Sequence, residues 1–140
     1  MKNVILSLLL FLTFNTVVLA DIAVVVHPDN SLSSASINNV SRIFLAKMKV
    51  FGNGEKIKLF DLEETNPLRT LFYQKVLNKS AGQVRAYWTQ LIFTGKGKPP
   101  KVLLDSEEIV EAVGHDINSI GYVNVEAVND SVKVLLTITE

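Results

Sequence analysis

Two polar stretches carry the side chains best suited to holding a ligand. Asp61-Leu62-Glu63-Glu64-Thr65-Asn66 sets three carboxylates, a hydroxyl and an amide directly before Pro67, with Arg69 following within the next turn. Ser31, Ser33, Ser34 and Ser36 crowd a second stretch, just after His27-Pro28-Asp29-Asn30. Hydroxyls and amides beside a helix start either cap the backbone or join free N–H groups in holding a polar or anionic ligand. Ser33, Ser34, Thr65, Asn66 and Arg69 are therefore the candidate ligand-binding residues. The competing reading is local. Thr65 or Asn66 caps the Pro67 helix, the acids favour its dipole, and one serine is an N-cap.

Other constellations are absent. His27 and His115 each have an aspartate within two residues, but no further ligand spacing accompanies them. Neither a G-x-S-x-G elbow nor an H-E-x-x-H helix occurs, so both histidines read as structural or solvent-facing. Cysteine is missing, which excludes disulfides, thiolate metal sites and cysteine nucleophiles. Lys96 and Lys98 sit in a glycine-rich loop that follows a helix instead of opening one and lacks the phosphate-loop pattern. No catalytic set, metal site or cofactor is assigned, and the chain reads as a non-enzyme. Its 14 basic and 14 acidic residues leave no basic excess for nucleic acid.

The elements that must position these residues follow from periodicity. Ile22–Val26 is an apolar run suited to a strand buried on both faces. Ser34 or Ser36 can cap a helix carrying Ile37, Val40, Ile43 and Phe44, which should fade near Lys49. Ile57–Phe60 reads as a second strand that ends at the polar stretch, and Pro67 suits a first helical turn. Leu68, Leu71, Phe72 and Val76 make one apolar face. Ser80 with Gln83 forms a capping box for a helix whose core face is Val84, Trp88, Leu91 and Ile92, leaving Tyr87 exposed as a contact residue. Val102–Leu104 is a short strand, Asp105 with Glu108 a second capping box, and the following helix closes near Gly114. Ser119–Val123 and Val132–Ile138 are the last strands. This alternation predicts an α/β mixed sheet flanked by helices, with Ile22–Val26 beside Ile57–Phe60. Ligands in such sheets collect at strand C-terminal ends, where 27–36, 61–66 and Asp105-Ser106 should meet.

Residues 1–20 are set apart. A basic start at Lys2, the apolar run Val4–Val18 and the Val18-Leu19-Ala20 end follow the order of a secretory signal peptide, with cleavage expected between Ala20 and Asp21. The run is short for a membrane span, which needs about 20 mainly apolar residues. The expected product is a single domain over 21–140, exported from the cytoplasm, large enough to bury roughly two-thirds of its unfolded surface.

Several segments together resemble a known family. Ser41-Arg42-Ile43-Phe44-Leu45-Ala46-Lys47, then Tyr87-Trp88, Phe93-Thr94-Gly95 and Pro99-Pro100, then Val113-Gly114 and Ser119-Ile120-Gly121-Tyr122-Val123, resemble in order and spacing the phosphate-type solute-binding proteins of ABC transporters. The resemblance covers nearly all of 21–138. It implies a single-lobe periplasmic-binding-protein-like fold, since the family closes two lobes on its solute and this chain is long enough for one. In the family, the strand equivalent to Ile57–Phe60 leads into an arginine and a glycine-serine turn that holds phosphate. Here Asp61-Leu62-Glu63-Glu64-Thr65-Asn66 stands in that place, and three carboxylates disfavour an anion.

The resemblance implies a solute-binding-like protein that takes phosphate or another small oxyanion weakly at a helix N-terminus. As partners it implies a membrane transporter or sensor protein and a homodimer supplying the second wall. The alternative is a periplasmic interaction module that kept the fold and lost the ligand.

Overall fold

The computed structural model describes residues 21–139; the expected signal peptide lies outside them. Five strands form one sheet: β1 Ile22–Val26, β2 Lys58–Leu62, β3 Lys101–Leu103, β4 Ser119–Asn124 and β5 Lys133–Ile138. Their order is β3-β2-β4-β1-β5. β2 runs parallel to both β3 and β4, while β1 runs antiparallel to β4 and β5. The expected pairing of β1 with β2 is therefore corrected: β4 lies between them. Every residue of β1 is buried, because strands cover both its edges and packed layers both its faces.

The helices are α1 Ile37–Phe44, α2 Pro67–Phe72, α3 Ala81–Phe93 and α4 Ser106–Gly114. Ser36 caps α1 by accepting the Asn39 N–H at 3.1 Å, and Val40, Ile43 and Phe44 face inward. α1 stops five residues before Lys49, and Ala46 takes a positive φ of 54° just beyond it. Asn66 caps α2, with Pro67 in its first turn. α2 then widens into a π-helix over Tyr73–Leu77. Ser80 and Gln83 form the expected capping box of α3. Val84 and Trp88 are buried as the helical spacing predicts, but Ile92 is 52% exposed. Tyr87 is corrected too: half-buried, it donates its hydroxyl to the Leu45 carbonyl at 2.5 Å and ties α3 to the end of α1.

At α4, Asp105 accepts the Glu108 N–H as expected, but Glu108 reaches to the Leu104 N–H and not to that of Asp105. α4 lies against β4, where Gly121 leaves room for Ile109: a Cβ at Gly121 would stand 2.5 Å from Ile109 Cγ2. On β4, Phe72 stacks on Tyr122 with ring centroids 3.8 Å apart and planes within 2°. Phe44 meets both rings edge-on. Each such pair adds about 0.5–1.5 kcal/mol beyond the area it buries.

Candidate functional site

The strand directions decide which loops can meet. β2, β3 and β4 point the same way, so the segments that follow them gather at one edge of the sheet. A cleft of about 660 Å³ lies at that edge, lined by Asn66, Pro67, Leu68 and Leu71 from the start of α2, by Asp105, Ser106 and Glu107 from the start of α4, and by Asn124, Glu126 and Ala127 beyond β4. The position is that expected for a ligand site in a parallel α/β sheet. β1 runs the other way, so its loop 27–36 leaves from the opposite edge, contrary to the expectation that all three polar stretches converge.

The candidate residues accordingly separate. Asn66 lines the cleft, but its side-chain oxygen is engaged by the Leu68 N–H at 3.0 Å. Thr65 is exposed and does not line it. Arg69 turns inward: its Nε donates to the Tyr73 hydroxyl at 2.9 Å and its guanidinium carbon lies 5.2 Å from the centre of that ring. Ser33 and Ser34 are exposed on the loop that leaves the far edge, where Ala35 N–H bonds the Leu135 carbonyl. Geometry unites none of the five into one constellation.

The three carboxylates also part company. Asp61 lies within β2 and is buried, extending the strand two residues past its expected end. Its Oδ2 accepts from Tyr73 and its Oδ1 from Tyr122 and the Leu62 N–H. Burial pushes both phenols above their ordinary range, and the Asp61 charge and hydrogen bonds push them further. Glu63 is half-buried, and Glu64 pairs with Arg85 at 2.7 Å on the surface.

The charge of the cleft comes from Asp105, which lies in one of the stretches expected at this edge, and from Glu107 and Glu126, which the sequence did not single out. Asp105, Glu107 and Glu126 line it, and no lysine or arginine does. Ser106 is 8% exposed and its Oγ accepts the Asn124 N–H at 2.9 Å, joining the start of α4 to the end of β4. The Asp105-Ser106 pair was legible both as a helix start and as a stretch at this edge. The approach of Glu126 was not, since it depends on how the short 3₁₀ turn Val125–Ala127 folds back after β4.

No family model and no curated protein matches the chain. Solved structures do. A candidate phosphate ABC transporter substrate-binding protein from Clostridium perfringens, with phosphate bound, superposes with a TM-score of 0.66 at 19% identity over 83% of this chain and 45% of that one. An ABC-type phosphate transport receptor from Vibrio cholerae gives 0.64 at 16% identity, over 83% and 46%. PstS from Borrelia burgdorferi gives 0.61 at 13% identity, over 84% and 47%. The chain thus has the α/β fold of the phosphate-type substrate-binding proteins and spans less than half the length of these three.

Proposed function

We propose that this chain is a solute-binding-like module that has kept the fold of the phosphate-type receptors and acts chiefly by binding a partner, not by capturing an oxyanion tightly. The observation that carries the reading is the charge of the cleft: three carboxylates line it without one lysine or arginine, and Arg69 is committed to Tyr73. An anion there would meet like charges, a repulsion of about 1 kcal/mol for each carboxylate at ~4 Å in water. The signal-like segment 1–20 supports export to the periplasm, where a membrane transporter or sensor protein is the natural partner. Titration calorimetry of the exported protein with inorganic phosphate should detect no binding tighter than about 100 μM, because a single lobe leaves the site open to water. Micromolar binding by the monomer overturns the reading.

A second reading is favoured by the phosphate held in one of the matching structures. In it, Asn66 and Thr65 contact a small oxyanion weakly, Arg69 swings out from Tyr73, and Ser33 and Ser34 of a second copy complete the site. Thermal unfolding with phosphate and sulfate separates the two, since an anion at a hundred times its dissociation constant stabilises by about 2.7 kcal/mol. A stabilisation of that size, lost in Asn66→Ala and Arg69→Ala, would favour the second.

A further inference from the structure

The cleft does not end at the start of α4. A second cavity of about 290 Å³ continues from it, sharing Glu107 and Ala127, and runs past Glu111 to His115 and Ser131 at the far end of the helix. The two form one groove along the flank of α4. Its acidic side is built by Asp105, Glu107, Glu111 and Glu126, and its apolar contacts by Leu68, Leu71 and Val110. The chain as a whole is electrically balanced, so the one-sided charge is a matter of placement. Among the described residues the ion pairs are Lys58–Asp116 and Arg85–Glu64, and neither neutralises the groove.

We propose that this groove docks an extended, basic polypeptide segment of a partner protein. The interaction-module reading is its premise; the groove supplies the partner's chemistry. Glu107 and Glu111 stand one helical turn apart, about 6 Å along the axis. Side chains on one face of an extended strand recur at about 6.6–6.8 Å, so lysines or arginines at alternate positions can meet both carboxylates in succession. The residues between them point to the opposite face of the strand, away from α4. Ser106 lines the groove as well; its Oγ accepts from the Asn124 N–H, and a hydroxyl that accepts can also donate, here to a peptide carbonyl. A single small cation would use neither the length of the groove nor its apolar contacts.

The test is fluorescence anisotropy of the exported protein with a labelled hexapeptide of alternating lysine and valine. Its glutamate–valine counterpart and free spermidine serve as competitors. The basic peptide should bind and the acidic one should not. Affinity should fall sharply as ionic strength rises from about 0.01 to about 0.15 M, where the Debye length contracts from ~30 to ~8 Å. The double variant Glu107→Gln/Glu111→Gln, at two exposed positions, should keep the native circular dichroism spectrum and bind about tenfold more weakly. Unchanged affinity in that variant overturns the proposal, as does absence of binding by the basic peptide. Displacement by spermidine at equal concentration overturns it in favour of a small polyamine. Phosphate calorimetry on the same preparation keeps the premise separate: micromolar phosphate binding refutes the interaction module itself, whereas failure of the peptide without phosphate binding refutes the groove alone.

Discussion

The Tyr73 hydroxyl lies 2.5 Å from Asp61 Oδ2 and makes a carboxylate expected at the ligand rim part of the core. Tyr122 holds the other oxygen from β4, so β2, β4 and the π-helix are joined through one side chain. Tyr73 also accepts from Arg69, which draws the first cation after the 61–66 turn away from the cleft. One buried network thus decides both the packing of this face and the charge left for a ligand.

Removing a donor from that network should be costly. Tyr122→Phe or Tyr73→Phe leaves a buried carboxylate oxygen short of a partner, and each should lower unfolding stability by about 1–3 kcal/mol. Urea titration followed by circular dichroism measures the loss. A change within about 0.5 kcal/mol, the range of an ordinary surface substitution, would show that Asp61 is not held as described.

The same phenols set an alkaline limit. Their folded pKa values are raised, by burial first and by the Asp61 charge next. Stability is therefore fully present below the unfolded value of about 10 and is lost as pH rises toward the folded values. In that window it should fall by up to about 1.4 kcal/mol per pH unit for each phenol. Urea midpoints measured across alkaline pH should show a shallower fall for Tyr73→Phe than for the unsubstituted protein.

Two glycines should respond in opposite directions to alanine. Gly121→Ala drives a Cβ into Ile109 between β4 and α4, and overpacking of this kind costs about 1–3 kcal/mol. Gly82 lies in α3 with only Ser80 Oγ nearby, at 3.9 Å, so Gly82→Ala should stabilise by about 0.5–1 kcal/mol. Thermal melts of the two variants check both signs.

Tyr87 should matter to folding and not to a partner. Tyr87→Phe removes the hydrogen bond to the Leu45 carbonyl and should cost about 0.5–1.5 kcal/mol. Binding of the lysine–valine hexapeptide should be unchanged, because Tyr87 lies outside the groove.

Local chemistry was readable along the chain because it acts over a few residues. The unbroken apolar run of β1, the Ser36 and Asn66 caps, Pro67 in the first turn of α2 and the Ser80–Gln83 box all depend on neighbours within one helical turn or one strand. Ile92 escaped that logic: helical spacing puts it on the face of Trp88, but only contact with another layer could bury it there. The π-helix escaped as well, since its wider turn carries Tyr73, whose hydroxyl meets an aspartate twelve positions earlier.

From sequence alone came the mixed α/β class, most strand positions and the caps, consequences of periodicity and short-range hydrogen bonding, and beside them, from the order of its motifs, the resemblance to phosphate-type receptors. Only the tertiary structure placed β4 between β1 and β2 and reversed β1, which sent Ser33 and Ser34 to the edge opposite Asn66. It also moved Asp61 inward and brought Glu126 to the start of α4. Strand order and direction are settled by which buried faces fit together across the whole chain. A polar residue counts as site or core according to where that assembly leaves it.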